Sequence, residues 1–280
     1  MKRNSIITFV LTVSMLLLAV TFTPSRFAQQ PSTAPAAAPN KYALIEYFKL
    51  EPGKGVEYRK LEQEVWVPIH RERVKMGAIK SWSSWGVRFP GGTSREYDRV
   101  IITTFNKFAD VETPYPSGIF TKVFPNMTAA EIVARTGALS KLVRSEMVAL
   151  LDSTQLNPQP LPPLPPFAEI SFHKVEPGKG PEYTALIAKY WKPVHEERIK
   201  RGLLKGWLRF GVRYPQGTER DYGQITISFF DKFEQLETQY PPDLLTKVLP
   251  GVNITDVNQQ TNAARKTVRT QLLTLVDQVQ

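Results

Sequence analysis

Apolar and polar positions follow the same order twice along this chain. Residues 43–50 (ALIEYFKL) and 168–175 (AEISFHKV) are apolar, β-prone runs. Both end in Glu-Pro-Gly-Lys-Gly, at 51–55 and 176–180, where proline and two glycines stop a strand and permit a tight turn. Helical spacing follows over about 56–76 and 181–201, with Tyr58, Leu61, Val65, Ile69 and Met76 as the core stripe of the first copy. Pro181 suits a helix start, and Gly77 and Gly202 suit a helix end. Pro68 and Pro193 lie inside these helices and predict a kink.

Alternation of period two comes next, the pattern of a strand. In the first copy Ile79, Ser81, Ser83, Trp85, Val87 and Phe89 share one face, opposite Lys80, Trp82, Ser84, Gly86 and Arg88. In the second, Leu204, Leu208, Phe210, Val212 and Tyr214 oppose Lys205, Trp207, Arg209, Gly211 and Arg213. Proline- and glycine-containing turns at 90–93 and 215–218 lead to third strands at 97–105 and 222–230. The last third, 128–152 and 253–277, has helical spacing in Val143, Met147, Leu150 and Leu151 and in Val268, Leu272, Leu275 and Val276. Helix is the preferred reading there, with a fourth strand over 145–152 and 270–277 as the alternative.

The two copies align without a gap at an offset of 125, as His70 and His195 show. A repeat this long is domain-sized, so the expected organisation is two α+β repeats, 42–153 and 167–280, that pack on each other. Before them, Lys2 and Arg3 precede an apolar run from Ile6 to Val20 and a small, polar stretch. That is the layout of a signal peptide over 1–28, which implies export to a periplasmic or extracellular space. An uncleaved N-terminal membrane anchor is the alternative; with cleavage no stable membrane insertion is expected. Residues 29–41 read as a flexible tether, and 154–166, with NPQPLPPLPP, as a semi-rigid linker.

The chain has no cysteine, which excludes disulfides, thiolate nucleophiles and thiolate metal sites. Net charge is +10, falling to +7 without Lys2, Arg3 and Arg26. The basic residues are scattered rather than clustered, which argues against nucleic acid as a partner. Phosphate-binding loops, nucleophile elbows and metal-binding histidine pairs are absent from the sequence. Nothing in it sets an oligomeric state.

The strand–helix–strand–strand–helix order, the Pro-Gly turn and the tandem arrangement resemble the ferredoxin-like dimeric α+β barrel superfamily. The resemblance implies an intramolecular α+β barrel-like pseudodimer, two ferredoxin-like halves with their sheets together. Its members include small monooxygenases and haem-handling enzymes, so it constrains fold more than function.

If the apolar strand faces pack on the helices, the opposite faces meet the other half. That places Trp82, Arg88 and Tyr97, with Trp207, Arg213 and Tyr222, between the repeats, as an expected ligand site of aromatic walls and converging polar groups. The bland alternative has each arginine stacked on Trp82 or Trp207 and paired with a glutamate. On the helix, Trp66, His70 and Arg73 share a flank at i, i+4 and i+7, repeated as Trp191, His195 and Arg198. His70 and His195 are candidate general bases or axial haem ligands, against a structural role in packing. Glu72 lies near the core stripe and calls for an ion pair, with Arg144 and Arg269 as candidates. Three functions remain open: a protein binding a small anionic or aromatic ligand, a cofactor-independent or haem-dependent oxygenase-like enzyme, and an interaction module with a filled core.

Overall fold

The computed structural model describes residues 42–93, 95–112, 115–154, 163–217 and 220–280. The expected signal peptide, the tether and most of the proline-rich linker lie outside the described residues. In the first repeat, β1 (Tyr42–Leu50) ends in a turn where Lys54 N–H donates to the Glu51 carbonyl at 3.0 Å. Pro52 supplies the fixed φ of that turn and Gly53, at φ +75°, its left-handed position. Helix α1 follows over 55–75, then β2 (Ser81–Phe89), β3 (Arg99–Phe105), α2 (Ile119–Val123), α3 (Ala129–Gly137) and β4 (Ser140–Thr154). The second repeat gives β5 (Phe167–Val175), α4 over 180–200, β6 (Gly206–Tyr214), β7 (Gln224–Phe230), α5 (Pro242–Val248), α6 (Ile254–Ala264) and β8 (Arg265–Val279).

The predicted proline kinks take a definite form. In α1 the backbone widens to a π-helix over Glu62–Trp66 before Pro68, and in α4 over Ile187–Trp191 before Pro193. A proline has no N–H for the carbonyl four residues back and its ring crowds that carbonyl, so the wider turn accommodates both effects.

The helical reading of 145–152 and 270–277 is corrected. Both segments are strands, and long ones, because each pairs on two sides. The β4 strand runs against β1 (Ala43 opposite Val148) and against β6 (Val148 opposite Val212). Equivalently, β8 pairs with β5 and β2. The eight strands close in the order β1-β3-β2-β8-β5-β7-β6-β4, and β2–β8 and β4–β6 are the seams between repeats. Helices in place of β4 and β8 would leave four strands with a bare edge.

Closure also corrects the expected faces. Trp85, Val87, Val100 and Ile102 of the first repeat meet Phe210, Val212, Ile225 and Ile227 of the second in one central core inside the barrel. The apolar strand faces therefore pack on the other repeat rather than on their own helices. Trp82 and Trp207 point outward, into smaller clusters beneath the helices. Among the described residues no helix is long and apolar enough to cross a membrane.

Polar groups inside the barrel join the halves. Glu146, 5% exposed, accepts from Tyr47 Oη at 2.9 Å and from Tyr222 Oη of the other repeat. Its counterpart Gln271 accepts from Tyr97 Oη, again across the repeats. Arg144 lies over the Tyr47 ring at 4.1 Å and shares Glu96 with Arg269. Those two arginines therefore do not serve Glu72, which pairs with Lys122 at 2.7 Å.

Replacing Glu146 by Leu would orphan two buried hydroxyls and remove one of the two carboxylates near Arg144, which keeps Glu96, for an expected loss of about 2–4 kcal/mol. Glu146→Gln, which copies Gln271, should cost less than half as much. Urea unfolding of the two variants tests this, and equal losses would remove Glu146 as an inter-repeat acceptor.

Candidate active site

Each repeat has a cavity between the outer face of its sheet and its long helix. That of the first repeat has a volume of about 320 Å³, that of the second about 410 Å³. They are lined by equivalent positions at the repeat offset: Tyr58, Trp66, His70, Trp82, Tyr115 and Thr136 in one, Tyr183, Trp191, His195, Trp207, Tyr240 and Thr261 in the other. The helix flank noted in the sequence thus meets the second-strand tryptophan across the cavity.

The local geometry is nearly duplicated. His70 stacks on Trp82 with centroids 4.4 Å apart, and His195 on Trp207 at 4.8 Å. Trp66 Nε1 donates to Thr136 Oγ1 at 3.0 Å, and Trp191 Nε1 to Thr261 Oγ1 at 2.9 Å. Arg73 Nη1 donates to His70 Nδ1 at 2.8 Å, and Arg198 Nη1 to His195 Nδ1 at 3.2 Å. The two guanidinium groups lie over Tyr115 at 4.1 Å and Tyr240 at 4.3 Å. Both arginines are almost wholly buried, and among the described residues neither has a carboxylate within 4.0 Å. Burial holds both arginines below the ordinary arginine range, opposed by Tyr115 and Tyr240 and then by Glu46 on β1 and Glu169 on β5. Burial holds the Glu46 carboxyl above its ordinary range, partly opposed by Arg73.

These contacts fix the histidine chemistry. Arginine can only donate, so each Nδ1 accepts and the ring proton sits on Nε2. Burial, then the neighbouring arginine, pushes His70 well below the ordinary histidine range and His195 down to about 3. Both rings are neutral at pH 7, each with an Nε2–H that has no hydrogen-bond partner among the described residues.

An axial haem histidine needs the opposite arrangement: a lone pair on the coordinating nitrogen and an N–H given to an acceptor by the other. His70 and His195 do not fit that role. Nor does His173, whose two nitrogens meet Thr226 Oγ1 at 2.9 Å and Thr267 Oγ1 at 3.3 Å. No group of three or more metal-ligating side chains converges among the described residues.

The other sequence candidates separate. Arg88 and Arg213 are exposed near the strand ends, and Arg88 reaches the other repeat, 4.7 Å over the Phe233 ring. Tyr97 and Tyr222 are inside the barrel, bonded to Gln271 and Glu146. The sequence reading missed Tyr115, Tyr240, Thr136 and Thr261 as site residues. The signal for them was there, since all four are kept in both copies.

The neutral histidines set a pH dependence. Each folded pKa lies below the unfolded value of about 6.5, so below that pH only the unfolded chain takes up the proton. The stability they allow is complete above pH 6.5 and is lost as pH falls toward the folded value. His195→Gln, whose Oε1 can still accept from Arg198, should flatten the loss by about 1.4 kcal/mol per pH unit between pH 6 and 4. Urea unfolding at several pH values reads the slope, and an unchanged slope would mean that the folded protein already protonates His195.

No protein-family model matches the chain, and no curated protein does. Solved structures do. A protein from Fusobacterium nucleatum, assigned as a monooxygenase, superposes with a TM-score of 0.55 at 11% identity, over 86% of this chain and 94% of its own. A protein from Lactobacillus acidophilus with the same assignment gives 0.51 at 8%, over 86% and 96%. A haem-binding protein from Thermus thermophilus gives 0.48 at 9%, over 85% and 92%. With the closed barrel of two βαββαβ repeats described above, the first two likenesses establish the fold: this chain has the tandem dimeric α+β barrel fold.

Proposed function

We propose that this is an exported small-molecule-binding protein with one pocket in each repeat. The observation that carries the proposal is the duplicated Trp–His–Arg–Tyr unit, which borders a cavity twice and has each time an Nε2–H without a partner among the described residues. Aromatic walls with a few fixed polar groups are the usual make-up of a ligand site. A purely structural role would not require a buried guanidinium to spend a donor on a neutral imidazole. Lys2, Arg3 and the apolar run after them support export. The ligand is aromatic or carries an acceptor, since stacking surfaces and N–H donors dominate the walls.

An anionic aromatic probe tests this. 1-Anilinonaphthalene-8-sulfonate should bind the folded protein and quench its tryptophan fluorescence. Trp82→Ala and Trp207→Ala should each weaken one class of sites at least tenfold, with the far-ultraviolet circular dichroism unchanged. Unaltered binding in both variants would place the probe elsewhere and sink the proposal.

A cofactor-independent, oxygenase-like reaction is the second reading. Glu46, with its raised pKa, borders the same cavity as the neutral His70, a pairing suited to proton transfer. The fold likeness is consistent with it. If Glu46 is a base, Glu46→Gln should abolish solvent-deuterium exchange at an acidic C–H of a bound ligand while leaving binding within about threefold. Exchange that persists in this variant rules the base out.

A further inference from the structure

The two cavities share their framework and differ at several lining positions, Glu46 against Ser171 and Glu62 against Ile187 among them, and four of the differences are connected. Where the first repeat has Ser140, Leu142, Phe48 and Ile101, the second has Arg265, Thr267, His173 and Thr226. Those four residues form a single hydrogen-bonded chain. Arg265 Nη1 donates to Thr267 Oγ1. With that oxygen accepting from arginine, the Thr267 hydroxyl donates to His173 Nδ1 at 3.3 Å. The His173 proton then sits on Nε2 and is given to Thr226 Oγ1 at 2.9 Å. The hydroxyl hydrogen of Thr226 is left at the end of the chain, on the cavity wall. Every link points its donor the same way, away from the fixed charge of Arg265.

Charge changes in the same direction. Arg265 has no carboxylate within 4.0 Å among the described residues, and its Nε is buried without a partner. The floor of the first cavity holds Glu62, 1% exposed and paired with Arg99 at 3.3 Å. In the second cavity Ile187 takes that place. Arg209, where the first repeat has Ser84, is not on the cavity lining but lies 5.8 Å over the ring of Tyr183, which is. Among the described residues the one carboxylate lining the second cavity, Glu169, accepts from Gln239 Nε2 at 3.4 Å and lies near Arg198. Among the described residues Arg265 thus remains without a carboxylate within 4.0 Å.

We infer that the second-repeat pocket selects a carboxylate-bearing aromatic ligand and that the first-repeat pocket does not. The ring would lie against the shared aromatic wall, with the carboxylate toward Arg265 and the Thr226 hydroxyl. This rests on the pocket reading above and adds the chemistry that distinguishes the two sites.

Calorimetric titration with 2-naphthoate and with its neutral analogue 2-naphthol separates the two levels. The full chain should bind one 2-naphthoate per molecule. Arg265→Ser and His173→Phe, which install first-repeat residues, should each weaken 2-naphthoate about tenfold and leave 2-naphthol within about twofold. Arg265→Gln, with melting temperature as the control for folding, should behave like Arg265→Ser. Equal 2-naphthoate affinity in wild type and all three variants overturns this inference while 2-naphthol binding upholds the pockets. Loss of 2-naphthoate binding on Trp82→Ala but not on Trp207→Ala would also overturn it, by placing the anion in the first repeat. If neither probe binds, the pocket reading fails and this inference fails with it.

Discussion

A sheet strand carries two rows of backbone donors and acceptors, and each row has to be met. In this protein that requirement is satisfied only by exchange between the repeats. The strands β4 and β8 are 15 residues long because one stretch of each pairs at home and another pairs across the seam. Neither repeat closes its sheet alone. Once the seams form, the apolar faces of all eight strands share one interior, and the covered outer faces become the place where cavities lie between sheet and helix. The position of the core and of both pockets follows from that closure.

The same geometry divides the polar residues into two groups with different tasks. Inside the barrel, Glu146 and Gln271 accept from tyrosines of the opposite repeat and so report on the fit between halves. Outside, His70 and His195 are held by their own helices against their own tryptophans. The outer sites can therefore diverge without disturbing the seam. They have done so, through Phe48 against His173 and Ser140 against Arg265. The guanidinium that donates to each imidazole is the shared element, and it fixes the tautomer before any ligand arrives.

Much of the fold was legible along the chain. The Glu-Pro-Gly turns, the glycine-ended helices and the alternating strands are local features, set by φ preferences and by side-chain period, and they appear where the pattern puts them. The last strands were not legible because Val143, Met147, Leu150 and Leu151 also satisfy helical spacing. Their strand state depends on partners more than a hundred residues away along the chain, as Ala149 beside Tyr42 of β1 and Leu275 beside Trp85 of β2 illustrate. The face reading failed for a related reason. Period two separates Trp82 from Trp85 correctly, but which side is interior depends on whether the sheet closes on itself.

By itself the sequence determined the duplication, the element order within each copy, the absence of thiol chemistry and the pairing of Trp66, His70 and Arg73 on one helix flank. These depend on spacing within a single element or on composition. Only the tertiary structure decided that Trp82 joins that flank while Tyr97 and Tyr222 do not. It also decided that His70 is an acceptor at Nδ1, and that Arg265, Thr267, His173 and Thr226 form one chain. Those are contacts between elements, and they exist only once barrel closure has fixed which face of each strand looks outward.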